Sequence, residues 1–518
     1  MTKIRFFSQY GLSVTQVSNI KDSNMVLTAD VVVIGSGAGG ATIAYKMALA
    51  GKKVIVLEAG PYVASKDFNE TLPDMLELLY EDQGAQMNST GDLTIFQGKC
   101  VGGSTVVNGA AALRTPDSIL EKWNIEHGLS KITKNSLRPY FDQVEKDLSV
   151  HQNQPHEISK NSQVLERGAK ALGYSSKPLK RNTKRCGLTG HCLSGCTSDR
   201  KQSSLVTYLP WAIFHGAKLI SDTKVTKINQ ENGKVTGVSS EIVNPRTKDK
   251  IANLIVNAST VVSSAGAIQT PLLFLRSEIA NSSGQVGMNF SCHPTTLVLG
   301  EFEHNIHSWR GAVLGSYIDE FEHPEKGGFV LEGAGVGPFE IALAGEQGTG
   351  SEFISFMSRA KNMCSMVTQF HDHGSGRVYL NGDKKVIDYD ISDQDFPTMK
   401  RAINEAGKVL FAAGATSVLL PTSRKMKVHS IEELEIKVNL FENEPNSLRM
   451  VSFHPQGTMR MGINKKNSVV NEDGQCHDIN GLYVADASVF PTSVIVNPQI
   501  TVYALSSYIA DRILEKYE

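Results

Sequence analysis

No run of eighteen apolar residues occurs in this chain, so no segment is long and greasy enough to cross a bilayer as a helix. Residues Met1 to Asp30 lack the apolar core of a secretory leader, and no cleavage-like site follows. Cysteine is sparse, seven in 518 residues, odd in number and mostly scattered. That argues against a disulfide scaffold and for a reducing compartment. Net charge is nearly absent: 52 Lys and Arg stand against 53 Asp and Glu. Neither nucleic acid nor an anionic membrane surface is therefore implied as a partner. There is no repeat of fixed period, no low-complexity tract and no linker-like segment. What remains is a soluble globular protein, read as cytoplasmic, with peripheral attachment to a membrane left open. Its length is too great for one ordinary core, so two domains or a large composite fold are expected.

Glycine, in contrast, is plentiful at 45 residues, and its placement carries the first positive signal. In "ADVVVIGSGAGGATIAYKMALAGKKVIVLEAG", Val31 to Ile34 reads as a strand buried on both faces. Gly35, Gly37 and Gly40 follow as G-x-G-x-x-G, with Ala38 and Gly39 between them, and Ala41 to Ala50 reads as a helix. Val54 to Leu57 is a second buried strand, with Glu58 at its end, 23 residues after Gly35. A lone glycine motif is weak. Here the strand before, the helix after and the acid beyond make a dinucleotide site the better reading than an ordinary turn. Gly35 permits the tight turn, Gly37 lets the backbone approach a pyrophosphate, and Gly40 allows close helix packing. The helix N-terminus offers free N–H groups to the phosphates, and Glu58 is placed to accept from a ribose diol.

Further along, "KLISDTKVTKINQENGKVTGVSSEIV" reads as an antiparallel hairpin turning at Asn232–Gly233. "NASTVVSSAGAIQTPLLFLRS" reads as a strand, a small-residue turn and a helix opening near Pro271. The region from Glu301 to Pro445 reads as irregular, mixing strands with glycine-rich loops. The chain then returns to strand, loop and helix after "GLYVAD", which ends in Asp486. An acid there suits a flavin dinucleotide, facing its ribityl or pyrophosphate part.

Two more segments, "GKCVGGSTVVNGAAALRTP" and "SFHPQGTMRMG", are followed by "VNPQITVYALSSYIADRI". Together with the βαβ start, "VVSSAGAIQTP" and "GQVGMNFSCHP", they resemble the glucose–methanol–choline (GMC) family of FAD-dependent alcohol oxidoreductases over nearly the whole chain. The resemblance implies an α/β fold: a Rossmann-like FAD-binding domain with an inserted α+β substrate domain. We expect the FAD-binding domain at 25–115, 181–300 and 446–518, and the substrate-binding cap at 116–180 and 301–445. It further implies that His454 lies at the flavin face and acts in alcohol oxidation, with Asn497 as its partner position. Gly102, Gly103, Ser104, Asn108, Gly109 and Ala110 belong to the loop that contacts the isoalloxazine. Val225 matches a position whose backbone meets the adenine, and Pro498 follows Asn497 at the cofactor. Some members link FAD covalently through a His just before that loop's Asn; Val107 stands there, which implies noncovalent FAD.

The chemistry supports these roles independently. Alcohol oxidation removes a proton from oxygen and a hydride from carbon. Histidine's ordinary pKa suits a general base, so His454 is the candidate, with hydride passing to flavin N5. A loop histidine satisfied by backbone is the plainer alternative. Asn497 before Pro498 and a helical run also reads as an N-cap with proline at the first helical position. His371 and His373, two apart, share one face if on a strand, but no third ligand is evident.

The remaining motif is "RCGLTGHCLSGCTSDRK", where Cys186, Cys192 and Cys196 form C-x5-C-x3-C beside His191. Packed thiols, an iron–sulfur cluster and zinc are all open readings. Within the resemblance, the spacing is similar to a cluster loop of bacterial FAD-dependent sugar dehydrogenases. "TSDRKQSSLVTYLPWA" is closer to cysteine-bearing loops of the sterol-oxidase and long-chain-alcohol-oxidase branches, for which no cluster is implied. The expected function is oxidation of a CH–OH donor by an FAD-dependent alcohol dehydrogenase or oxidase. The apolar "GFVLEGAGVGPFEIALAG" points to a hydrophobic small-molecule alcohol, with oxygen, a quinone or a redox protein as electron acceptor. A cluster-bearing dehydrogenase and a non-catalytic flavin- or NAD-binding protein are the alternatives.

Overall fold

Val31–Ile34 and Val54–Leu57 bury every side chain, as strands covered on both faces must. In the computed structural model, which describes residues 12–20, 22–344, 348–374, 376–424 and 426–517, they form the centre of a six-stranded parallel sheet. Its order is Val14–Thr15, Lys218–Ile220, Val54–Leu57, Val31–Ile34, Thr260–Ser263, Leu482–Val484. The leader reading of the N-terminus falls partly outside the described residues, at 1–11 and 21. Helix Ala38–Leu49 joins the two central strands and packs on the C-terminal helix Gln499–Leu514. This is the Rossmann-like layer that the glycine motif predicts.

The expected hairpin is present. Thr223–Glu231 and Lys234–Val243 pair antiparallel around Asn232 and Gly233, both at positive φ (51° and 73°), as a tight two-residue turn requires. Lys250–Asn257 and Asn24–Thr28 complete that four-stranded sheet.

Two readings need correction. The helix read as opening near Pro271 spans Gly266–Ser277, with Pro271 inside it. Proline at that position has no N–H for the Ala267 carbonyl. The Thr458 hydroxyl donates to that carbonyl instead (2.6 Å), so the helix continues through. The region from Glu301 to Pro445 is also far more regular than expected. Leu314–Ile318, Phe329–Ala334 and Met363–Phe370 lie in a nine-stranded sheet, backed by the long helix Phe396–Ala412. Lys160–Leu172 crosses that helix closely, because Gly168 has no side chain to meet Val409 O, 2.1 Å from where a Cβ would sit.

The nine-stranded sheet also draws in Leu93–Ile95, Ser176–Pro178, Thr295–Glu301 and Met450–Ser452. Three of these belong to ranges read as FAD-binding. Buried apolar side chains fall into two main clusters, one around Trp123, Phe274 and Tyr503, the other around Phe290, Phe329 and Phe370. Among the described residues no helix is long and apolar enough to cross a membrane.

Thr458→Val should leave the Ala267 carbonyl without a donor. The expected loss is about 1–3 kcal/mol of stability, read as a lower denaturant midpoint at unchanged slope.

Candidate active site

The glycine turn is built for close approach. Gly35 has φ +94°, and a Cβ there would sit 2.4 Å from Ser264 O. A Cβ on Gly39 would fall 1.8 Å from Ala485 O, and one on Gly40 would fall 2.0 Å from Gly35 O. Gly37 has open space around its missing Cβ. Gly35, Gly37, Ala38 and Gly39 line a cavity of about 1180 Å³, to which the first turn of the Ala38–Leu49 helix presents N–H groups that no helical carbonyl can reach. Gly40 is not in the lining; it packs the helix onto its own turn, the role read from the sequence.

Glu58 is buried, and burial pushes its carboxyl above the usual range. One oxygen accepts from the Ser36 N–H (2.9 Å) and Ser36 hydroxyl (2.6 Å), the other from the Gly60 N–H (2.8 Å). It lines the cavity near Val225, whose strand begins where the Thr223 N–H meets Glu58 O. Asp486 lines it too, its carboxylate held by the Gly266 N–H, the Thr270 hydroxyl and the Ser488 N–H.

Gly103, Ser104, Asn108 and Gly109 also line the cavity, with Gly103 close beside Gly37. Gly102 and Ala110, read as part of the same contact, are not in the lining. Gly102 instead donates its N–H to Ser36 Oγ (2.9 Å), and Ala110 donates to Asn108 Oδ1 (3.1 Å). Both shape the loop from behind.

His454 faces the cavity from the loop after Met450–Ser452, together with Asn497 and Pro498. Burial pushes the His454 imidazole down to about 3, so it is neutral through the working range. Its Nδ1 lies 3.2 Å from Nδ1 of His293, fully buried and likewise held neutral, one donating and the other accepting. Gln456 Nε2 donates to His454 O (3.2 Å) and lies 3.2 Å from His293 Nε2. Asp372 holds the His293 segment by accepting from the Cys292 and His293 N–H groups.

Asn497 does not cap the helix. The helix starts at Gln499, after Pro498, without a side-chain cap. The Asn497 side chain lies beside the Glu332 carboxyl and favours its charged form. Asn497 Oδ1 and Glu332 Oε1 are buried with no partner among the described residues, and both residues line the cavity. Burial pushes Glu332 up to about 7. Sequence reading missed Glu332; its only signal is a lone acid in the apolar run "FVLEGA". His293 was missed as well, although its segment was noticed.

The cysteine loop is no metal centre. Among the described residues no three His, Cys, Asp or Glu side chains are grouped to hold an ion. Cys196 Sγ is taken up by the N–H groups of Arg200 and Lys201, and Cys186 Sγ by Arg181 Nη1 (3.6 Å). The iron–sulfur and zinc readings are therefore withdrawn. His373 pairs with Asp395 (2.5 Å) rather than joining His371 in a ligand set.

Residues 76–295 and 372–506 match the family models for GMC oxidoreductase, and residues 30–68 match an FAD binding domain. The chain belongs to the GMC oxidoreductase family. It is an FAD-dependent oxidoreductase. An uncharacterised GMC-type oxidoreductase of Mycobacterium tuberculosis is 32% identical over 96% of this chain and 77% of that one. The long-chain-alcohol oxidase FAO3 of Arabidopsis thaliana is 28% identical over 94% of this chain and 68% of that one. A formate oxidase of Aspergillus oryzae RIB40 shares the fold at TM-score 0.70 and 18% identity, over 95% of this chain and 99% of that one.

The cavity fits FAD: the GMC turn is open at Gly37, its helix offers free N–H groups, and two carboxylates flank it. Gly39→Ala would drive a methyl into Ala485 O. FAD binding should weaken by about tenfold or more, measured by the fluorescence of flavin released on dilution.

Proposed function

We propose that this GMC oxidoreductase oxidises an apolar alcohol in the cavity, with FAD held noncovalently and His454 as general base. FAD supplies the hydride acceptor. The observation that carries the reading is the convergence of the nucleotide turn, His454 and the Asn497–Glu332 pair on one cavity. His454 is neutral without having to lose a proton first; the buried His293 hydrogen-bonds its ring, and Gln456 holds its backbone carbonyl. Asn497 Oδ1, without a partner among the described residues, is placed to accept from a substrate or cofactor group.

A second reading of the base has its own support. Glu332 is a buried carboxyl with one oxygen unpartnered among the described residues, and ionised it would take the hydroxyl proton directly. The two readings separate by pH. His454, held neutral down to about 3, gives no titration limb near neutrality. Glu332 ionises as pH rises through about 7, so a rate that depends on its carboxylate rises with pH there.

Substrate class follows from the lining. Leu72, Leu76, Phe96, Phe339, Leu343 and Phe453 face the cavity, and the Phe96 and Phe453 rings stack at 5.4 Å. Such walls favour an extended hydrophobic alcohol over a sugar, in keeping with the similarity to long-chain-alcohol oxidases. The electron acceptor is oxygen, a quinone or a redox protein.

His454→Ala should slow anaerobic flavin bleaching by an alcohol about 10²–10⁴-fold while FAD stays bound; an unchanged rate rules out its role as base. Glu332→Gln should leave the pH profile of kcat/KM as it is if His454 is the base, and remove a rising limb near pH 7 if Glu332 is. A sugar oxidised much faster than every long-chain alcohol in a substrate panel would rule out the substrate class.

A further inference from the structure

The cysteine loop takes no part in that chemistry, yet it is pinned to the loop that does. Lys201, at its end, is only 2% exposed. Its ammonium donates to three backbone carbonyls: Val106 O (2.7 Å), Asn108 O (2.8 Å) and Cys192 O (2.7 Å). Tyr80 Oη spans the same two loops, donating to Leu193 O (2.7 Å) and reaching Val107 O (3.3 Å). The Arg200 and Lys201 N–H groups donate to Cys196 Sγ (3.3 and 3.4 Å), closing the turn that sends Lys201 inward.

Among the described residues no carboxylate bonds this ammonium; the chargeable groups around it are the thiols of Cys192, Cys196 and Cys100. Carbonyl oxygens therefore replace its lost water, and two of the three come from the cofactor-facing loop. In a trans peptide the C=O and N–H point in opposite directions. A grip on the Asn108 carbonyl thus turns the Gly109 N–H away from Lys201. Gly109 lines the cavity, and its N–H has no partner among the described residues.

We propose that Lys201 is a positioning residue for the flavin ring. It fixes the Val106–Gly109 backbone so that the Gly109 N–H is presented to the ring, with a positive charge held behind the loop. The cysteine loop is the anchor of this clamp. The proposal rests on the reading that the Gly102–Ala110 loop faces the isoalloxazine.

The test compares full-length wild type and Lys201→Met, each stripped of cofactor, for binding of FAD and of ADP, which lacks the ring. Flavin fluorescence and calorimetry read the affinities, and the flavin reduction potential is measured on the reloaded chains. The expected result is ADP affinity within about twofold of wild type, FAD affinity lower by about tenfold or more, and a reduction potential shifted negative. Unchanged FAD affinity overturns the proposal, and so does an equal loss for both ligands, which would mean general damage. Should Lys201→Met fail to fold, Lys201→Gln, which keeps one amide donor, reads the same split. The proposal falls if neither folds, because a positioning role leaves the core intact. If wild type binds FAD no tighter than ADP, it is the ring-facing reading of the loop that fails.

Discussion

One buried carboxylate ties the cofactor cavity together. Glu58 closes the second strand of the βαβ unit and accepts from Ser36 in the glycine turn. The Ser36 hydroxyl in turn accepts from the Gly102 N–H, at the head of the loop packed against that turn. A donor chain of two side chains therefore sets the distance between the nucleotide turn and the loop that faces it. Burial makes the charged form costly, and three donors compensate for the lost water. The glycines make this geometry possible, since methyl groups at Gly35, Gly39 or Gly40 would each collide with backbone oxygen.

What the sequence made legible was local. The βαβ unit, the Asn232–Gly233 hairpin and the terminal strand and helix each announce themselves within about thirty residues by hydrophobic period and turn chemistry. The nine-stranded sheet does not, because its members come from 93–95, 176–178, 295–301 and 450–452 as well as the 301–445 region. No local pattern reports such pairing. Pro271 misled for a similar reason: what lets the helix pass through it is a hydroxyl from Thr458, nearly two hundred residues away. Asn497 misled because its local signature as a cap was good, but its side chain lies instead beside the buried Glu332 carboxyl, which no local pattern reports.

The cysteine loop shows how spacing can mislead. Three thiols within eleven residues look like a ligand set, and two of them, Cys186 and Cys196, serve instead as acceptors for N–H groups. Sulfur there takes the place that a carbonyl or water would hold in a turn. The residue of consequence in the motif is the lysine that ends it, which no ligand pattern would single out. Its burial against three carbonyls is a tertiary fact.

Burial also sets the charge that a substrate meets. It pushes the imidazoles of His454 and His293 down and the carboxyl of Glu332 up to about 7. The two shifts have opposite chemical direction and one cause, since each favours the uncharged form. Below neutrality this wall of the cavity is therefore uncharged, beside the apolar walls of Phe96 and Phe453. On the proposed substrate class, an uncharged apolar alcohol meets this wall with little desolvation cost. Once Glu332 ionises, a negative charge stands beside Asn497. On the second reading of the base, the burial that keeps this wall uncharged also places the Glu332 carboxyl near working pH, so the character of the lining and proton transfer share one physical origin.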